Sequence, residues 1–298
     1  MNRPLPQTAL IFGAGYLGAR FAVALKQRGW RVLATAREPH RREALGEMGL
    51  EPVDPADAGA LHTALLEASA VLVTAAPDPV GCPALRLLGP RFGSQDRRPD
   101  WLGYVSSTGV YGDRGGKWVD ERSDLNAPTV QGARRAAAER DWLSLARECG
   151  MTVCLFRLPA IYGPGRTPFE RLREGSARIV RKPGQVFNRV HVDDAVSAML
   201  ASLDRPRAGR AYNLCDDEPA GMDAYVEFAA GLIGLPPPPE VALDDPEVSD
   251  AMRRFYLDNK RVSNARAKAE LGWRPRYASW RDGLNALAAD LQGPVAPN

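Results

Sequence analysis

Three glycines and the basic residues beyond them define the chemistry open to this chain. Gly13, Gly15 and Gly18 stand at G-x-G-x-x-G spacing within A-L-I-F-G-A-G-Y-L-G, residues 9–18. Where a strand turns into a helix, each has a mechanical task. Gly13 makes the tight turn, Gly15 lets the backbone approach a pyrophosphate, and Gly18 permits close helix–strand packing. The helix opening at Tyr16 and Leu17 would receive the phosphates on its N-terminus, where unbonded N–H groups and the helix dipole favour negative charge. In an NAD site a carboxylate about twenty residues beyond the glycines hydrogen-bonds the ribose 2′-hydroxyl. Ala36 occupies that place here, and Arg37 follows it within T-A-R-E-P-H-R-R. A carboxylate would repel a 2′-phosphate, whereas Arg37 with Arg41 or Arg42, and with His40, would pair with one. The dinucleotide expected is therefore NADP(H) rather than NAD(H). Glu38 argues the other way, and Arg41 and Arg42 also fit a solvated helix face.

A second cluster carries hydroxyls. Ser106, Ser107 and Thr108 precede Gly109-Val110-Tyr111-Gly112. At the carboxyl end of a central strand such groups meet a substrate carbonyl; alternatively, one of them satisfies the backbone of its own turn. Ala75-Ala76-Pro77 ends an earlier strand, and small residues there leave space for a ligand. His191, in Val190-His191-Val192-Asp193-Asp194, invites a catalytic role. The plainer account has it packed, with Asp193 or Asp194 capping a helix at 195–203.

These groups need a scaffold to hold them. Leu10–Phe12 reads as a buried first strand, 19–28 as a helix closed by Gly29, and Arg31–Ala36 as a second strand. A third strand at 50–53 ends at Asp54, placed either to meet an adenine edge or to cap the helix at 58–66, for which Asp57 competes. Strands follow at 71–74, 104–106 and 151–157, with a broken helix plus loop over 78–100 and a long helix over 129–148. Alternation of strand and helix predicts an α/β, Rossmann-type doubly wound parallel sheet. The expected division is a dinucleotide-binding domain over 1–162, completed by about 189–216. A small C-terminal substrate lobe would use 163–188 and 217–298. Residues 211–215 read as a strand, and within that lobe Pro236–Pro239 reads as a rigid linker and 259–271 and 279–291 as helices.

The chain has 298 residues and a net charge of +3, too mild and dispersed for a nucleic-acid partner. Its four cysteines show no paired C-x-x-C spacing with histidines, so neither a metal centre nor a disulfide framework is expected. No hydrophobic run reaches membrane-spanning length, and the first strand starts too early for a signal peptide. A cytoplasmic protein is expected.

Five segments together carry a family likeness: G-A-G-Y-L-G, S-S-T-G-V-Y-G, R-L-P-A-I-Y-G-P-G, R-V-H-V-D-D-A and L-G-W-R-P. In this combination the chain resembles the extended short-chain dehydrogenases/reductases, the NAD(P)-dependent sugar-nucleotide epimerases, dehydratases and reductases. The likeness spans essentially the whole chain. It implies an NADP(H)-binding oxidoreductase or epimerase-like enzyme acting on a small carbonyl or sugar-derived substrate, and adds Leu158 and Ala160 to the cofactor set. It also implies a catalytic Ser, with Tyr and Lys as Y-x-x-x-K on the following helix. Ser107 matches the serine. Gln131 falls at the tyrosine and Arg135 at the lysine, so the chain departs from the pattern and resembles an atypical branch. A phenol normally titrating near pH 10 needs a nearby cation to work at neutrality; Arg135 keeps a cation, but Gln131 offers only an amide. Tyr111 and Tyr162 are alternative proton sources, or packing residues of their turns. The alternative function is an NADP(H)-binding sensor or scaffold with little turnover. Arg157, Arg189 and the arginines of 166–181 fit an anionic substrate, and equally a basic surface. Relatives often pair through the helix carrying Y-x-x-x-K, but Arg134, Arg135 and Arg140 charge it here, leaving monomer and homodimer both open.

Overall fold

The structure, a computed structural model, describes residues 7–92 and 98–292. The chain divides into two compact units. The first comprises residues up to Val110, Thr129–Arg157 and Val196–Tyr212; the second comprises Tyr111–Pro128, Leu158–Ala195 and residues from Asn213 onward.

Seven strands form the sheet of the first unit: β1 (Thr8–Phe12), β2 (Arg31–Thr35), β3 (Glu51–Val53), β4 (Ala70–Val73), β5 (Trp101–Ser107), β6 (Val153–Leu158) and β7 (Arg210–Asn213). Their order is β7-β6-β5-β4-β1-β2-β3. β1 pairs in parallel with both β2 and β4, β2 with β3, and β4 with β5. Every residue of T-A-L-I-F, A-V-L-V and V-C-L-F-R-L is buried, the continuous apolar pattern of strands covered on both faces. Helices α1 (Tyr16–Gln27), α2 (Pro39–Glu47), α3 (Ala58–Glu67), α4 (Pro83–Phe92) and α5 (Val130–Cys149) connect or cover them. The strand order turns back between β1 and β4. In such a doubly wound sheet the crevice outside the strands' carboxyl ends, at that switch point, takes the ligand. Part of the broken segment expected over 78–100 is α4; residues 93–97 lie outside the described residues.

Local chemistry sets the helix boundaries. Asp57 caps α3, its carboxylate accepting from the Gly59 and Ala60 amides at 2.9 Å each. The cap expected of Asp54 or Asp57 thus belongs to Asp57. Asp57→Ala should lower stability by about 1 kcal/mol, read as an earlier urea midpoint with an unchanged slope. Thr129 caps α5 by accepting from the Gly132 amide at 3.1 Å, and Gly150 ends that helix at φ +65°.

In the second unit Ala160–Tyr162 pairs in parallel with Arg189–His191. Helices Met222–Leu232 and Trp280–Gln292 supply Tyr225, Ala229, Trp280 and Leu284 to a core shared with Tyr162 and Phe169. Two expectations are corrected here. The helix expected over 259–271 begins only at Ala265. Residues Arg261–Val262 instead pair with Trp118–Val119, because the Asn259, Arg261 and Val262 amides bond to Asp113, Lys117 and Asn188. The helix expected from 195 starts at Val192, so Asp193 and Asp194 lie inside its first turn. The Asp194 carboxylate accepts from the Arg276 and Tyr277 amides, at 2.6 and 3.0 Å. Among the described residues no helix is long and apolar enough to cross a membrane.

Candidate cofactor and active site

The glycine turn stands at the carboxyl end of β1. Gly13 has φ +95°, a conformation only glycine takes readily, and a Cβ there would lie 2.9 Å from the Ala75 nitrogen. Two threonines that the sequence reading passed over brace this turn. The Gly13 amide donates to Thr35 Oγ1 at 2.9 Å, the Ala14 amide donates to the Thr35 carbonyl, and the Thr74 hydroxyl donates to the Gly13 carbonyl. Their signal was their place: each stands at or just after the carboxyl end of a strand flanking β1. A Cβ at Gly18 would sit 2.7 Å from the Gly13 oxygen and 3.3 Å from Ile11, whereas one at Gly15 meets nothing within 4 Å. Gly13 and Gly18 are therefore required by the fold itself, and Gly15 stands open at the mouth. The first-turn amides of α1, from Tyr16 onward, have no intrahelical acceptor to bond. Leu17 is buried in the core, so only its main chain faces the turn; Tyr16 is half-buried, with the Arg20 guanidinium 5.4 Å from its ring centroid. A braced cradle of this kind, with an N-terminal dipole and no carboxylate in the first turn, fits a pyrophosphate.

Past β2 the charge is positive. Arg37 and Arg41 are exposed, and Arg41 lies 3.9 Å from Glu38. The Glu38 carboxyl is held below its usual range by a backbone amide, then by the Arg41, Arg37 and His40 side chains. Arg42 folds back instead, with Nη1 donating to the Ala36 and Arg37 carbonyls at 3.1 and 2.5 Å and lying 3.1 Å from Asp54. Asp54 also accepts from the Ala56 amide at 2.9 Å. After β4, Ala75 and Pro77 are half-buried and Ala76 is exposed.

Ser107 ends β5 half-buried, its Oγ accepting from the Gly109 amide at 3.1 Å. The turn thus engages one hydroxyl of the cluster through a lone pair, and that hydroxyl's proton is not used in the bond. Ser106 and Thr108 are buried. Gln131 is exposed in the first turn of α5. One turn on, half-buried Arg135 donates to the Val105 carbonyl of β5 and stands beside the fully buried Tyr104 phenol. Burial pushes that phenol up, with Arg135 opposing, so it stays protonated. A second turn on, Glu139 meets Arg157 of β6 through bonds of 2.7, 3.0 and 3.2 Å, with side chains only 2% and 7% exposed. Arg157 is thereby committed inside the first unit rather than offered to an anionic substrate.

The remaining site residues belong to the second unit. Leu158 is buried and Ala160 exposed. Tyr111 is fully buried and donates to Asn213 Oδ1 at 2.7 Å. Asn213 is itself held by Glu121 and by the Ser263 carbonyl. Tyr162 is buried against Tyr225 and His191, and burial pushes its phenol well up. Both rings are placed as packing residues. His191 is 2% exposed, receives the Asp193 amide at 3.3 Å and stacks edge-on against Tyr162, the packed alternative. Arg189 is buried, donating to the Phe187, Ala220 and Gly221 carbonyls over the Tyr225 ring. Beside it burial pushes the Asp216 carboxyl up to about 8, with Arg189 opposing. Arg178 pairs with Glu247, and Arg181 with Asp223, Glu227 and Glu240. Four of the arginines considered for an anionic substrate therefore hold the protein together instead.

Residues 94–215 match the model of the NAD dependent epimerase/dehydratase family. A functionally unknown conserved protein from Silicibacter pomeroyi DSS has a solved structure similar to this one. It is 41% identical, with a TM-score of 0.88 over 96% of this chain and 99% of that one. Protein YeeZ of Escherichia coli (strain K12) is 29% identical over 285 residues, 90% of this chain and 95% of that protein. A 3-diazoavenalumate denitrifying reductase from a Streptomyces species is 31% identical over 177 residues, 56% of this chain and 58% of that protein.

Proposed function

Because this chain belongs to the NAD-dependent epimerase/dehydratase family, we propose that it binds NADP(H) at the carboxyl ends of β1–β5. It acts there as an oxidoreductase or sugar-nucleotide epimerase/reductase-like enzyme on a small carbonyl or sugar-derived substrate. The observation that carries this reading is the end of β2. Ala36 stands where a 2′-hydroxyl would want a carboxylate, and exposed Arg37 follows it, next to a glycine turn braced for a pyrophosphate. Gly13, Gly15 and the first-turn amides of Tyr16–Gly18 would hold the phosphates, Arg37 the 2′-phosphate, Asp54 the adenine edge and Ala75–Pro77 the far side. When bound, the nicotinamide supplies or accepts a hydride.

This chain's own residues have the polar part of the work. Ser107, whose Oγ already accepts from Gly109, can donate its proton to a substrate carbonyl. The Gln131 amide can donate beside it, and Arg135 keeps a positive charge where alkoxide develops. The last proton comes from solvent, since Tyr111 is engaged with Asn213 and Tyr162 is buried. A positioned general acid is typically worth about 10²–10⁴-fold, so turnover without one is slow rather than forbidden. Gln131, which has no titratable proton, favours a second reading: a protein that binds NADP(H) as a sensor or scaffold. Four buried, unbridged cysteines support a reducing compartment such as the cytoplasm.

Calorimetric titration tests the cofactor. NADPH should bind more tightly than NADH, and Arg37→Ala should weaken NADPH by about 10–100-fold, the worth of a charge-assisted hydrogen bond, with little effect on NADH. A preference for NADH overturns the 2′-phosphate reading. With binding established, a carbonyl screen against Ser107→Ala separates enzyme from sensor.

A further inference from the structure

We propose that Arg42 is a specificity-determining positioning residue: it bonds no part of the dinucleotide but fixes the turn that presents Arg37 to the 2′-phosphate. The inference rests on the NADP(H) reading and says how this chain builds that preference.

Three observations support it. First, the acceptors around Arg42 Nη1 are the carbonyls of Ala36 and Arg37, at 3.1 and 2.5 Å, and the Asp54 carboxylate, at 3.1 Å. These are the two residues at the end of β2 and the one at the end of β3. One nitrogen therefore ties the backbone just after β2 to the Asp54 carboxylate just after β3, at the adenosine end of the site. Second, the neighbouring arginine is different. Arg41 is 59% exposed and reaches only Glu38, at 3.9 Å, so it holds no backbone in place. Third, α2 carries Arg41 and Arg42 close to its N-terminal end. Its first turn carries no carboxylate, and Glu38 makes no side-chain cap bond. Cations near a helix N-terminus oppose the macrodipole. A local rule broken in this way marks a position kept for something other than the helix. Arg42 meets the conflict by turning its charge back onto three oxygens, while Arg37, whose own carbonyl it holds, keeps its side chain exposed.

The ratio of NADH to NADPH dissociation constants reads this role, because a merely structural loss weakens both cofactors alike. Arg42→Met should lower the ratio about tenfold, the equivalent of about 1.4 kcal/mol, while NADH affinity stays within about twofold. Arg42→Lys should keep most of the preference, since an ammonium offers three donors from one nitrogen to the same three acceptors. The deciding step is a double-mutant cycle with Arg37→Ala. If Arg42 acts through Arg37, removing it from the Arg37→Ala protein changes the ratio no further. Additive losses mean that Arg42 meets the phosphate itself and overturn the proposal, as does an unchanged ratio in Arg42→Met or an equal loss of both cofactors. Should the unsubstituted protein show no preference for NADPH, or Arg37→Ala leave it intact, the NADP(H) reading fails and this inference falls with it. A normal Arg37→Ala effect beside a silent Arg42→Met sinks this inference alone.

Discussion

Gly13→Ala should abolish dinucleotide binding and destabilise the protein by about 2–5 kcal/mol, whereas Gly15→Ala should impair binding and leave the fold nearly untouched. At Gly13 two effects add. A side chain must be held at φ +95°, which costs about 1–2 kcal/mol, and its Cβ must find room 2.9 Å from the Ala75 nitrogen, an overpacking worth about 1–3 kcal/mol more. Relief would have to come from the main chain, because Thr35 holds the Gly13 amide and Thr74 its carbonyl. A shift there moves the start of α1 and the amides that would meet phosphate. Gly15 has an ordinary φ of −80°, and a methyl added there meets nothing within 4 Å, so the fold should register Gly15→Ala by no more than about 1 kcal/mol. Urea denaturation and NADPH titration of the two variants separate a turn needed for folding from a mouth needed for binding. Equal destabilisation by both, or undiminished NADPH binding by either, contradicts these roles.

The Glu139–Arg157 pair should yield the largest stability loss in the first unit. Glu139→Ala leaves the Arg157 guanidinium in the core, 7% exposed and without its carboxylate, a loss of about 3–5 kcal/mol. Combining Glu139→Met with Arg157→Met should recover most or all of it, because two apolar chains of similar volume avoid the desolvation that the ion pair has to offset. Denaturant titration of the single and double variants checks the sign. If Glu139→Ala falls by less than about 1 kcal/mol, the pair is not holding α5 against β6. Because Arg135 and Gln131 lie one and two turns earlier on the same helix, the double variant also shows whether their placement needs the charges or only the packing.

The central sheet was legible because its strands are long apolar runs between turn-forming residues, and the glycine turn because its spacing is mechanical. What escaped the sequence depends on partners distant along the chain. Thr35 and Thr74 look like ordinary strand-end residues until the fold brings both to Gly13. Asp194 has the place of a helix cap, yet its acceptors serve amides 82 and 83 residues later. Asn259–Val262 has acceptable helical composition, but its amides find Asp113, Lys117 and Asn188 first. Of the site, the charge of Arg37 could be read from position alone. The division of labour among Arg37, Arg41 and Arg42 could not, since it turns on which guanidinium folds back onto carbonyls.

The first unit is assembled from three separate stretches of chain, and β7, which flanks β6, comes from the last of them. During synthesis β6 therefore emerges well before the strand that covers its edge. At about 5–20 residues per second the ribosome needs roughly 3–10 s to supply it. Through that interval a strand reading V-C-L-F-R-L presents unpaired amides and carbonyls beside apolar side chains, the kind of edge that recruits other chains. Nascent protein is thus most dependent on chaperones just after β6 appears. A gene truncated between the codons for β6 and β7 should give insoluble product rather than a smaller working domain.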